Sequence, residues 1–180
     1  PKLLYGHARN DLFFPQSKEK RDELRESYFS KWDLAPETKI VMYAPTFRDS
    51  KDFSCYDINF DRVVAALTER FGGEWRIVLR YHPSMRKDYA KSPLRGAYKH
   101  CVIEATDVLD MQELIAITDV AITDYSSWIY DFMLMRKPGF IFATDIEEYN
   151  TERGFYYPIE STPFPIAVDN DELIDNILKF

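Results

Sequence analysis

The sequence predicts an α/β protein built on a mainly parallel sheet with helices on both faces. Short apolar runs such as KIVMYA (39–44) and WRIVLRY (75–81) have the length and apolar density of buried strands. Between them lie segments whose apolar residues recur at helical spacing, so strand and helix alternate along the chain. Each run also ends in a polar cluster, and in a parallel sheet all such clusters share one edge.

Taken in order, residues 17–31 (SKEKRDELRESYFSK) read as a charged amphipathic helix, and 39–44 as the first buried strand. Asn59 is placed to cap a helix over 60–71, where Val63, Val64, Leu67 and Phe71 share a face and Gly72-Gly73 ends it. Strands follow at 75–81 and 101–104. Asp110 is placed to cap a helix through Ile117; 119–122 reads as a strand, 126–135 as a helix and 138–143 as a strand. Residues 147–165 (EEYNTERGFYYPIESTPFP), aromatic and Pro-rich, read as a long loop that lines something.

With 180 residues, 46% hydrophobic and 16% aromatic, the chain suffices for one core, and a single domain over 1–180 is expected. Thirty acidic against 23 basic residues give a net charge of −7, which argues against a nucleic-acid partner or a general anionic-surface binder. Cys55 and Cys101 stand far apart without metal-type spacing, so neither a disulfide framework nor a metal site is expected, and a cytoplasmic setting fits. No apolar run approaches the roughly 18 residues of a membrane span. The chain starts without Met and stops without a helix-ending Gly or Pro, as an excised domain does.

The strand-end clusters are PTFRD (45–49), RYHP (80–83), ATD (105–107), TDYSS (123–127) and Thr144-Asp145. Arg48 and Arg80 each offer a planar fork of donors to phosphate oxygens. Thr123, Asp124, Ser126 and Ser127 stand at a strand-to-helix junction, where backbone N–H groups and a helix dipole favour an anion. Capping alone also accounts for Asp124, Ser126 or Ser127; Arg48 also suits a pair with Asp49 or Asp52, and Arg80 one with a neighbouring surface carboxylate. His82, before Pro83, is held extended at a strand end, where it can donate to a phosphate oxygen or move a proton; a turn carbonyl is its other partner. Asp131, one turn into the helix after Ser127, suits ribose hydroxyls or a pair with Arg136. There is no Walker pattern, no GxGxxG and no DxD-like pair after an expected strand, so no cofactor or metal is called for.

GHARND (6–11), YAPTFRD (43–49), RYHP (80–83) and DMQELIAITDVAITDYSSWIYDFMLMRKP (110–138), followed by Asp145 and Tyr149, occur in an order that resembles the CDP-glycerol glycerophosphotransferase family, the teichoic acid polymerases. The resemblance implies a Rossmann-like domain forming the carboxyl-terminal, donor-binding half of a two-domain GT-B enzyme. Such an enzyme moves glycerol phosphate from CDP-glycerol, or a related CDP-polyol, to a hydroxyl of a lipid-linked acceptor at the inner face of the membrane, releasing CMP. It implies a catalytic role for His82 and phosphate contacts at Ser126 and Ser127. Two departures stand out: His7-Ala8 where the family commonly has Pro before Arg, and no Trp-His-Gly-Thr-Pro motif, which the family carries on the amino-terminal half. A nucleotide-sugar GT-B glycosyltransferase, suggested by Lys137-Pro138, an epimerase-like relative and a non-catalytic nucleotide-binding module are the alternative readings.

Overall fold

In the computed structural model, which describes residues 6–48, 53–85, 87, 92, 94, 96–155 and 157–180, the apolar runs form one parallel sheet. Its strands are β1 (Lys39–Tyr43), β2 (Trp75–Leu79), β3 (Val102–Glu104), β4 (Val120–Thr123), β5 (Gly139–Phe142) and β6 (Ile166–Ala167). They lie in the order β3-β2-β1-β4-β5-β6, every neighbouring pair parallel. The chain winds outward from β1 in one direction and from β4 in the other, so the crevice between β1 and β4 is the topological switch point. Tyr43 is in register with Leu79 on one side and Ile122 on the other, so the strand ends align on one edge, as expected.

Successive strand residues point to opposite faces, and both faces are covered. On one, Val41, Tyr43, Ile77, Leu79, Ile122 and Phe140 pack with α2 (Phe60–Phe71) and α6 (Asn170–Lys179) through Val63, Leu67, Leu173 and Ile177. On the other, Ile40, Met42, Val78, Ala121 and Ile141 pack with α1 (Lys18–Lys31), α3 (Met111–Ile117) and α4 (Trp128–Met133) through Phe29, Leu114, Ile115, Trp128 and Phe132. Asn59 and Asp110 cap as expected: Asn59 accepts from the Arg62 amide and Asp110 from the Gln112 amide. Gly72, at φ 65°, ends α2 in backbone geometry that side chains disfavour.

Two expectations change. Residues 147–165 are not a structureless loop: α5 (Ile146–Glu152) and a 3-10 turn at Ile159–Ser161 occupy much of it. The helix expected over 126–135 is shorter; Ser127 is its N-cap without a side-chain capping bond, and Arg136 beyond its end adopts φ 54°. Among the described residues, no helix is long and apolar enough to cross a membrane.

Candidate functional site

At the switch point the loops after β1, β4 and β5 are bolted together around one guanidinium. Arg48 donates to Asp145 through Nε at 2.7 Å and Nη2 at 3.0 Å, and through Nη1 to the Thr46 carbonyl at 2.6 Å. Its Nη2 also lies 3.0 Å from Asp124 Oδ2, an ion pair without the alignment of a hydrogen bond. Asp124 in turn accepts from the amides of Thr46 (2.7 Å) and Tyr125 (2.6 Å). The Tyr125 hydroxyl donates to Asp145 at 2.8 Å, and its ring stacks on Tyr149 of α5 at 3.9 Å. Burial acts to raise the Asp145 carboxyl, but the Arg48 hydrogen bonds and charge outweigh it and hold it below the ordinary aspartate range. Burial raises the Asp124 carboxyl, and the Arg48 charge and the amide donors only partly offset it.

The fork of Arg48 is therefore occupied, and the residue is 7% exposed. Its partners are Asp145 and Asp124; Asp49 and Asp52, the carboxylates weighed from the sequence, lie outside the described residues. Thr123 is fully buried and donates from Oγ1 to the Ala44 carbonyl at 2.8 Å, tying β4 to the loop after β1.

The β2 end is looser. Arg80 reaches the Val108 carbonyl with Nε at 3.4 Å and Nη2 at 3.3 Å, and burial lowers its pKa, with Asp110 acting the other way. His82 is exposed, its ring 4.8 Å from that of Phe47. Its Nδ1 sits 2.7 Å from Ser84 Oγ and accepts the Ser84 amide at 3.2 Å. With Nδ1 an acceptor, the neutral ring carries its proton on Nε2, which meets no partner among the described residues.

Beside Asp124, the backbone amides of Ser126, Ser127 and Trp128 have no acceptor among the described residues, and neither serine side chain makes a hydrogen bond there. Three successive amides without acceptors at the start of a helix are donors that an anion can use. Asp131 has a different engagement from both readings of it: it binds Arg9 (3.1 Å), Asn10 (2.8 Å) and Gln112 (3.0 Å), fastening the GHARND segment to α3 and α4. Its cation partner is Arg9, not Arg136.

Sequence reasoning placed Asp145, Tyr125 and Phe47 within strand-end clusters but assigned none of them a role in the site. Asp145 carried a signal, since it follows a strand end on the same edge. A cavity of about 820 Å³, lined by residues such as Phe14, Arg21, Leu134 and Lys137, shares no residue with these clusters. Neither does the single group of metal-type donors among the described residues, Asp61, His100 and Cys101, whose ligand atoms lie within 4.8 Å of one another.

Residues 2–180 match the family described as CDP-Glycerol:Poly(glycerophosphate) glycerophosphotransferase. The chain is 30% identical over 180 residues to the teichoic acid poly(ribitol-phosphate) polymerase of Bacillus spizizenii, covering 97% of this chain and 28% of that protein. It is 31% identical over 177 residues to the teichoic acid poly(glycerol phosphate) polymerase of Bacillus subtilis, covering 96% of this chain and 23% of the relative. A solved structure of the wall teichoic acid polymerase TagF superimposes with a TM-score of 0.74 at 28% identity, over 98% of this chain and 42% of that one. The chain thus spans less than half the length of each protein it matches here, and it belongs to the CDP-glycerol:poly(glycerophosphate) glycerophosphotransferase family.

Proposed function

We propose that this chain is a Rossmann-like, CDP-glycerol-binding domain, the carboxyl-terminal half of a GT-B glycerophosphotransferase. The observation that carries the reading is the row of open amides at Ser126, Ser127 and Trp128, beside the switch point of a parallel sheet and on the same edge as His82. A diphosphate has the charge and size for such a row. The donor is CDP-glycerol or a related CDP-polyol, because relatives named for glycerol phosphate and for ribitol phosphate are equally similar.

In the reaction, a hydroxyl oxygen of the lipid-linked acceptor attacks the phosphorus bearing glycerol, in line with the bond to CMP. The new P–O bond forms as that bond breaks; its electron pair leaves on CMP, and the hydroxyl proton passes to a group of the remaining, amino-terminal half. This chain's task is to hold the diphosphate and spread the charge that develops on CMP. The open amides bind phosphate oxygens, and His82 donates from Nε2 to an oxygen of the leaving group. Arg80 reaches the same edge from β2. Arg48, Thr123 and Asp124 act from beneath by fixing the loops, and Asp131 holds residues 6–11 in place. Such an acceptor places the full-length protein at the inner membrane face.

The test is His82→Ala in the full-length enzyme. Turnover is expected to fall about 10²-fold or more, the scale of a positioned acid or charge-stabilising donor, while the melting temperature of the exposed-site variant stays unchanged. Turnover equal to the parent enzyme's removes His82 from the mechanism.

A further inference from the structure

One group of metal-type side chains among the described residues lies outside the clusters assigned to the donor. Asp61 stands in the first turn of α2, and His100 and Cys101 directly precede β3. Their ligand atoms all lie within 4.8 Å of one another, and His100 Nε2 is 2.7 Å from Asp61 Oδ1. Spacing along the chain conceals this group, because Asp61 and His100 are 39 positions apart.

The backbone is fixed on both sides of the group. At the start of α2, the Asn59 amide donates to Asn170 Oδ1 at 2.7 Å and the Asn59 side chain caps the helix. Before β3, the amides of Cys101 and Val102 both donate to the Tyr98 carbonyl, at 3.0 and 2.8 Å, and the Cys101 carbonyl accepts from the Ile77 amide at 2.8 Å. The Tyr98 ring meets the Phe60 ring edge-on at 5.3 Å, which packs the turn on the helix start. Cys101 is buried, whereas Asp61 and His100 are exposed and have room to rotate.

Ligand atoms of a tetrahedral zinc ion sit ~2.0–2.3 Å from the metal, hence about 3.3–3.8 Å from one another. The His100–Asp61 pair is tighter than that, and no pair in the group is wider than 4.8 Å, so side-chain shifts of about 1 Å reach the tetrahedral spacing. A thiolate and an imidazole beside one carboxylate suit a zinc-type ion over Mg2+ or Ca2+, which take oxygen ligands. Burial raises the Cys101 thiol to about 11, Asp61 adds to this and Arg76 acts the other way, so coordination displaces the thiol proton to solvent. Arg76 itself is paired with Glu74 at 2.7 Å.

We propose that Asp61, His100 and Cys101 bind a zinc-type divalent ion, with water as the fourth ligand, and so clip the start of α2 to the turn before β3. That strand is at the edge of the sheet and pairs only with β2, which makes it the strand with most to gain from a second tether.

The experiment titrates Co2+, a coloured substitute for Zn2+, into the reduced 180-residue chain and then adds Zn2+. Stoichiometric Co2+ is expected to give the visible bands of a tetrahedral site and a sulfur-to-cobalt charge-transfer band, both removed by Zn2+. Cys101→Ser is expected to lose the charge-transfer band and Cys55→Ser to keep it. His100→Ala and Asp61→Asn are expected to weaken Zn2+ binding about 10²-fold, the upper end of the loss that altering a ligand's own partners causes. Both positions are exposed, so His100→Ala carries the reading if Cys101→Ser does not fold. Zn2+ is also expected to raise the Tm of the parent but not of His100→Ala, since an ion that binds only the folded chain stabilises it. No uptake by the parent, parent-like affinity in His100→Ala, a charge-transfer band that survives in Cys101→Ser or vanishes in Cys55→Ser, or uptake without a rise in Tm overturns the proposal.

Discussion

The two sides of the switch point use charged residues in opposite ways. Between β1, β4 and β5, Arg48 is buried with Asp124 and Asp145, and hydrogen bonds converge there from three loops. At the end of β2, His82 is exposed, fastened by one nearby serine and one ring contact, with Nε2 directed to no protein group described. A charge locked among carboxylates cannot also turn toward a ligand without leaving them unpaired in a dry place. The first cluster therefore works as a bolt that sets where the loops stand, whereas the second is the group that the proposed function assigns to substrate. Phe47 links them: it lies between Thr46 and Arg48 in sequence, both anchored to the bolt, and its ring meets His82.

Arg48→Ala is the strongest way to break this contrast. It leaves the Asp124 and Asp145 carboxylates without their cation, and a stability loss of about 3–5 kcal/mol is expected in urea unfolding. Arg80→Ala is expected to leave stability nearly unchanged and to weaken CDP-glycerol binding, since only a long contact to the Val108 carbonyl is lost. Equal stability losses in the two variants would erase the distinction between bolt and ligand side.

A smaller effect sharpens it through pH. The Asp145 carboxyl titrates below its unfolded-state value because Arg48 outweighs burial, so its contribution is fully present above the unfolded pKa of about 3.9 and is lost as pH falls through the lower folded value. Asp145→Asn removes that dependence. The stability difference between parent and variant should be constant near neutrality and shrink as the solution is acidified below pH ~3.9. A difference that holds at acid pH would show that the carboxylate charge of Asp145 is not what binds Arg48.

The sheet was legible because its strands are apolar on nearly every residue, the mark of burial on both faces, and because Asn59, Asp110 and Gly72 are local signals. β6 escaped notice since two residues, Ile166 and Ala167, carry no period. α5 escaped because Ile146 and Tyr149 are its main apolar positions and aromatic, Pro-containing sequence follows them. The edge on which the site residues gather was legible from strand ends alone. Their partners were not: Arg48 and Asp145 are 97 positions apart, and Arg9 and Asp131 are 122 apart, so which carboxylate each arginine meets is settled by tertiary packing. Among nearby acids, the sequence placed Asp49 and Asp52 closest to Arg48, whereas the fold delivers Asp124 and Asp145.

The central claim is that this chain holds the donor and that the rest of a longer protein supplies the acceptor wall. The direct test follows CMP release from CDP-glycerol by the 180-residue chain, with and without a lipid-linked acceptor, beside a calorimetric titration of the same sample. The account expects saturable binding of CDP-glycerol with no acceptor-dependent release of CMP, because positioning of the attacking hydroxyl is absent. Acceptor-dependent CMP release at the rate of the full-length enzyme would contradict it and place a complete active site within these residues.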